Sequence, residues 1–189
     1  IEERLSEVNK SFTTPAVVTG FGQPWQDRLP GARIVADDEV LDLAEGAHDL
    51  VIHALALHWA NDPVGQLVQA RRALRSDGLF IAALFGGRTL HELRSVLAET
   101  ESRVTGGLSP RVLPMGEIRD LGALLQRAAF ALPVADSVTK TVTYRTAFHL
   151  IADLRAMGES NALAGRSRKP VPRDFFTEAA QLYARHFPA

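Results

Sequence analysis

Two rhythms of apolar residues alternate along the chain. Short continuous runs occur at Ala16-Val17-Val18-Thr19, Arg33-Ile34-Val35-Ala36, Asp49 to Leu55 and Leu79 to Phe85. Runs of this length predict strands covered on both faces, the pattern of a parallel sheet. Between and after them the spacing turns helical. Ile1, Leu5, Val8 and Phe12 predict an amphipathic N-terminal helix ended by Pro15. Val64, Leu67, Val68 and Leu74 predict a helix with Asp62 as N-cap, Pro63 at its first position and Gly78 as its stop. Thr89-Leu90-His91-Glu92 reads as a capping box for a helix carrying Leu90, Leu93, Val96 and Leu97. Ile118, Leu121, Leu124, Leu125 and Ala128 mark a further helix. Leu150, Ile151, Leu154 and Met157 mark another, capped by Thr146, and Phe176, Ala180, Tyr183 and Phe187 a last one. The Val- and Thr-rich stretch from Pro133 to Tyr144 predicts two late strands, the second over Thr139 to Tyr144. The order strand, capped helix, glycine, strand is a βαβ unit, right-handed in nearly all proteins.

These elements predict an α/β fold: a mostly parallel sheet with helices on both faces, abbreviated in its N-terminal half, followed by C-terminal helices. The length of 189 residues suits one domain. Residues 1–15 are its N-terminal helix, 16–145 the α/β core and 146–189 a helical part. A net charge of −1 and a pI near 6.7 argue against a dedicated nucleic-acid binder or a polybasic membrane-surface protein. With no cysteine, disulfide scaffolds, thiol catalysis and Cys-ligated zinc are excluded. No apolar run reaches the roughly 20 residues of a membrane-spanning helix. Ile1-Glu2-Glu3-Arg4 shows no secretory pattern, so the expected compartment is cytoplasmic.

Ligands of an open parallel sheet bind outside the carboxyl ends of its strands, which nominates Thr19 to Pro24, Asp37 to Glu39, His53 to Asn61 and Phe85 to Thr89. Gly20 and Gly22 would let backbone N–H groups approach a nucleotide or adenosyl group, or they are an ordinary strand-to-turn pair. Asp37 and Asp38 would accept bonds from an adenine amino group or a ribose hydroxyl, or cap the next turn. Asp49, at the start of its strand, reads as a structural cap. His53 and His58 fall on opposite sides of an extended strand and make a poor metal pair. His58 and Trp59, just past the strand, offer a base and a stacking platform. No Walker loop, G-x-S-x-G elbow or H-E-x-x-H occurs, and no metal site is expected.

From Ile34 onward the succession of short motifs resembles the class I S-adenosylmethionine-dependent methyltransferases. These are Ala36-Asp37-Asp38-Glu39, His48-Asp49-Leu50-Val51, Leu57-His58-Trp59 and Ala73 to Leu79. Phe85 to Arg94, Gly107 to Pro110, Asp120 to Leu125 and Met157 to Asn161 resemble the branch of biotin-pathway carrier-protein methyltransferases and complex I assembly factor 5 proteins. The resemblance covers about four-fifths of the chain. It implies S-adenosylmethionine as cofactor, with Gly20 and Gly22 near its methionine portion, Asp37 and Asp38 on the adenine side, Leu57 as a further cofactor-binding residue, and His58 and Trp59 walling the methyl-transfer position. It places Arg88, Glu159, Ser160 and Asn161 toward an acceptor, a small molecule or a protein side chain.

The front end departs from the family. Its acidic-x-Gly-x-Gly-x-Gly motif is reduced to Thr19-Gly20-Phe21-Gly22, with no acidic residue leading it. Gly22 to His48 spans 48 − 22 = 26 positions, where a full member needs roughly 30 more residues for another βαβ unit. Either that unit was lost in evolution or a segment is missing from the sequence. Two functions follow: a methyltransferase, or a methyltransferase-fold assembly or interaction protein that has lost the cofactor. A shortened sheet leaves an edge free, which makes a homodimer a further expectation.

Overall fold

The computed structural model describes residues 1–188. Its elements are α1 (Glu2–Glu7), β1 (Pro15–Val18), α2 (Gln23–Arg28), β2 (Arg33–Val35), β3 (His48–Ala54), α3 (Pro63–Ala73), β4 (Leu74–Ala83), α4 (His91–Thr105), α5 (Ile118–Arg127), α6 (Ala147–Ala156) and α7 (Phe175–His186). They fall into two compact units. One comprises Ile1–Gly87 with Met115–Ser137, the other Arg88–Pro114 with Val138 onward.

The first unit is built on a four-stranded sheet of order β2-β1-β3-β4, every pair parallel. Ala16, Val17, Val18, Leu50, Val51 and Ile52 have no exposed surface, as continuous apolar strands require when both faces are covered. Alternation divides them. Val17, Leu50 and Ile52 turn to one side, against Ile1, Leu5, Phe12, Trp25 and Leu29. Ala16 and Val51 turn to the other, against Ala70 and Ala73 of α3. The expected α/β architecture with helices on both faces is therefore present.

The N-terminal helix is shorter than its apolar spacing predicts. It ends at Glu7, Val8 is extended, and Phe12 reaches the sheet from a non-helical segment; Pro15 opens β1. The α3 cap is as expected, the Asp62 carboxylate accepting the Gly65 N–H at 2.8 Å. Gly78, however, does not stop that helix. α3 ends at Ala73 and β4 begins at once, with a bulge that moves the register from His48↔Leu74 to Leu50↔Leu79. Asp77 takes a positive φ of 63° there. A Cβ on Gly78 would lie 2.9 Å from Leu74 Cδ2 and 3.0 Å from the Arg75 carbonyl oxygen, so the glycine is needed for space inside the bulge.

At the other end of β3, the Asp49 carboxylate accepts the Thr13 N–H at 2.6 Å, the Thr13 hydroxyl at 2.9 Å and the Thr14 N–H at 2.9 Å. It ties the entry of β1 to the entry of β3, which is the structural role its position suggested. Partial desolvation works against the charged form, but these bonds outweigh it and bring the carboxyl down to about 2.

The second unit is helical. Leu93, Val96 and Leu97 of α4 and Leu150 of α6 meet Phe175, Ala179 and Leu182 of α7. The buried stripe of α7 is thus offset from the predicted one, and Phe176 is exposed. Thr89 is not the cap of α4: Leu90 occupies that position in the left-handed region. Thr146 does precede α6, but its hydroxyl pairs with His149 Nδ1 at 2.8 Å and caps no backbone group. The two late strands predicted between Pro133 and Tyr144 are not formed, and Val134, Val138 and Val142 are exposed. A Val/Thr pattern makes a strand only when a neighbouring strand accepts its backbone.

Candidate functional site

Because all four strands run the same way, their carboxyl ends lie on one edge of the sheet. Gly20, Asp37, His58 and Phe85 each follow one of those ends within a few residues. Thr19 continues the β1–β2 pairing with its N–H on the Val35 carbonyl at 3.0 Å, and this brings the two strand exits together. A Cβ built on Gly20 would sit 3.5 Å from Asp37 Oδ1, an ordinary van der Waals distance. Gly20 is therefore the open floor beside the Asp37 carboxylate. Gly22 serves differently: it opens α2, and its Cβ would lie 2.7 Å from Ile34 Cγ2. Its smallness lets the β1–α2 turn pack on β2.

The acidic turn after β2 is gripped by its main chain. Gln66 Nε2 donates to the Asp38 carbonyl at 3.0 Å, and Gln69 Nε2 donates to the Glu39 carbonyl at 2.9 Å. Gln69 Oε1 accepts the Leu41 N–H at 2.8 Å, and Asn61 Nδ2 donates to Glu39 Oε1 at 2.9 Å. Among the described residues no hydrogen bond or ion pair reaches the carboxylates of Asp37 and Asp38, and both residues are exposed. They do not cap a following turn.

His53 lies in β3 with no exposed surface, and its Nε2 meets Gln66 Oε1 at 2.8 Å. Burial lowers its pKa; the bond to Gln66 and the charge of Asp37 act upward, and His58 acts downward. The last two effects mean that Asp37 and His58 both lie within electrostatic reach of His53. His58 stands in the 3-10 turn Leu57–Trp59, with its ring 5.4 Å from that of Trp59 and 5.3 Å, edge-on, from that of Phe85. Leu57 is 5% exposed and packs with Leu67 and Ala128. Its side chain is part of the core.

Phe85 is joined to the site by its ring contact with His58, and the glycines that follow it bring the chain against Gly116. The Gly87 N–H donates to the Gly116 carbonyl at 2.9 Å, and a Cβ on Gly86 would lie 3.1 Å from that oxygen. The two glycines allow this close backbone approach. Sequence reasoning placed His53 and Phe85 inside nominated stretches without giving either a role, and it missed the two glutamines. The amides were legible only as an i, i+3 pair on the face of a capped helix.

The remaining nominated residues belong to the second unit. Arg88 donates to His91 Nε2 at 3.1 Å while His91 Nδ1 donates to the Arg88 carbonyl at 2.9 Å. Glu159, Ser160 and Asn161 follow α6. Asn161 donates to the Pro110 carbonyl at 2.8 Å and accepts the Leu163 N–H at 3.1 Å, so its amide joins two of the family-like peptides. Ser109, beside Pro110, is in turn held by Glu101 through its N–H and hydroxyl at 3.0 and 2.7 Å.

A cavity of about 520 Å³ lies elsewhere in the first unit, lined by Arg33 at the start of β2, His48 at the start of β3 and the segment Val40 to Ala47. None of the nominated residues lines it. Among the described residues no group of three or more His, Asp or Glu is arranged to hold a metal, and no helix is long and apolar enough to cross a membrane.

Residues 17–82 match the methyltransferase domain family. The mitochondrial arginine-hydroxylase NDUFAF5 of Mus musculus is 39% identical over 176 residues, which cover 93% of this chain and 51% of that protein. The malonyl-[acyl-carrier protein] O-methyltransferase of Laribacter hongkongensis is 37% identical over 154 residues, 82% of this chain and 50% of that protein. The chain thus spans about half the length of these curated relatives. Among solved structures, a chain from the complex of the Haloferax volcanii Trm112 methyltransferase activator with a methyltransferase superposes with a TM-score of 0.51 at 13% identity. It covers 96% of this chain and 84% of that one; this likeness shows the fold alone. The matched domain, the parallel sheet and these identities show a chain similar to the class I methyltransferases, and among them to NDUFAF5.

Proposed function

We propose that the chain binds S-adenosylmethionine at the carboxyl edge of its sheet and transfers a methyl group to a protein-borne acceptor. The observation that carries this reading is the pairing of an open glycine, Gly20, with the Asp37 carboxylate, which no protein group occupies. Two carboxylates on a fixed turn are suited to accept hydrogen bonds from hydroxyl and amino groups of an adenosyl moiety, worth about 1.5–3 kcal/mol each when charge-assisted. When bound, the cofactor would supply a methyl group on a sulfonium already activated for displacement, which leaves positioning and water exclusion to the protein.

His58, Trp59 and Phe85 supply the apolar and aromatic wall for that task. His58 is the candidate group to take a proton from the acceptor. A protein-borne acceptor agrees with the names of the relatives, one an arginine hydroxylase and the other acting on malonyl-[acyl-carrier protein]. The proposed compartment remains cytoplasmic.

A second reading, a cofactor-free assembly or interaction protein, is favoured by two features: a single six-residue helix joins β1 to β2, and Thr19 stands where the family places an acidic residue. Isothermal titration with S-adenosylmethionine and S-adenosylhomocysteine separates the two. A dissociation constant below the millimolar range supports the enzyme, and no heat from protein of verified mass leaves the assembly reading.

A further inference from the structure

We propose that His53 is a positioning residue for the acidic turn, fixing it through Gln66 so that the Asp37 carboxylate is presented beside Gly20. The inference rests on the cofactor-binding reading above for its purpose, though not for its geometry.

The polarity of the chain His53–Gln66–Asp38 is forced. The Asp38 carbonyl can only accept, so the Gln66 nitrogen faces it at 3.0 Å and the Gln66 oxygen faces His53 at 2.8 Å. That oxygen can only accept, so His53 Nε2 carries the proton. Nδ1 is then a lone pair, buried and without a hydrogen-bond partner among the described residues. The opposite tautomer would set two lone pairs against each other at Nε2. Turning the amide over to relieve this would set two oxygens against each other at Asp38. A second proton would leave an N–H at Nδ1 buried without an acceptor. One protonation state and one amide orientation satisfy the whole chain.

The anchor lies in buried regular structure and the turn does not. His53 has no exposed surface and pairs through β3 with Val18 and Ala82 on the flanking strands. Asp37 to Val40 are exposed and have no regular structure. Gln69, three residues along α3, repeats the grip on the Glu39 carbonyl and the Leu41 N–H but has no histidine behind it. Every one of these bonds to the turn from Gln66 and Gln69 is made to main chain, which leaves both carboxylates uncommitted. A turn held in place before its ligand arrives avoids the ordering cost on binding.

Three measurements test this. Long-range 1H–15N NMR at pH 7 should show His53 protonated at Nε2 and bare at Nδ1; the other tautomer or an imidazolium would overturn the assignment, and this arm needs no variant. In Gln66→Met the Glu39 amide, in the same peptide plane as the Asp38 carbonyl, should show larger-amplitude motion in 15N relaxation while the β1 and β3 amides keep their exchange protection; unchanged relaxation at Glu39 would overturn it. Gln66→Met should also weaken S-adenosylhomocysteine roughly tenfold, the size of one buried hydrogen bond. The double variant with Asp37→Ala should bind no worse than Asp37→Ala alone, because both act on one contact; fully additive losses would mean Gln66 is merely structural. If the unsubstituted protein does not bind S-adenosylhomocysteine, the cofactor reading fails, and the first two measurements still decide the positioning role.

Discussion

Asp49 offers the sharpest quantitative test of the fold. Its carboxylate holds two backbone N–H groups and a hydroxyl at the point where β1 and β3 enter the sheet. A carboxyl brought from 3.8 to about 2 carries about 2.4 kcal/mol of pH-dependent stability. Partial exposure of the side chain trims this to about 1–2 kcal/mol. The sign follows from a folded value below the unfolded one. The contribution is complete above pH 3.8, shrinks as the unfolded chain takes up protons below it, and is gone once pH falls through about 2. Asp49→Asn keeps one acceptor oxygen and turns an NH2 toward the other donors, so it should cost about 2 kcal/mol at pH 7. The difference between the two proteins should shrink to about half near pH 3. Urea unfolding followed by tryptophan fluorescence reads this directly, because Trp25 and Trp59 both lie in the first unit. A difference below about 0.5 kcal/mol at pH 7, within the usual range of surface substitutions, or one that stays constant from pH 7 to pH 3, would refute the linkage.

Asp37→Ala should weaken S-adenosylhomocysteine by roughly tenfold to a hundredfold while leaving the melting temperature almost unchanged; a large fall in melting temperature would show that Asp37 supports the fold. The two glycines should separate. Gly22→Ala meets Ile34 Cγ2 at 2.7 Å and should lower stability by about 1–3 kcal/mol in a thermal melt, whereas Gly20→Ala, at 3.5 Å from Asp37, should leave stability intact and impair ligand binding alone. In the second unit, Arg111 pairs twice with the buried Glu101 and lies 4.5 Å over the Phe175 ring. Arg111→Ala removes the cation from that carboxylate, leaving it only the Ser109 N–H and hydroxyl, and should cost about 3 kcal/mol. Near-UV circular dichroism can follow this loss, since both tyrosines, Tyr144 and Tyr183, lie in this unit.

The sheet was legible because strands covered on both faces must be apolar throughout; Leu50, Val51 and Ile52 are all fully buried. The Asp62 cap and the structural role of Asp49 were legible because each uses bonds to backbone groups close in sequence or at a strand entry. What failed depended on distant partners. The stretch from Pro133 to Tyr144 has strand-like side chains, but no strand lies alongside to pair with. Thr89 has the composition of a cap, yet the chain turns through Leu90 instead. Gly78 looked like a helix stop because helix ends and crowded bulges both favour glycine. Within the site, the exits of the strands were predictable from topology. The glutamine grip was not, because an amide on a helix carries no mark of the carbonyl it will meet.

The manner of that grip separates two properties that proteins often entangle. Side chains at 37 and 38 bear none of the load that shapes their own turn, so they are open to exchange without cost to folding. A library randomised at those two positions should yield folded proteins throughout and differ only in what they recognise, which makes this short acidic stretch the natural place to re-address the protein to another ligand.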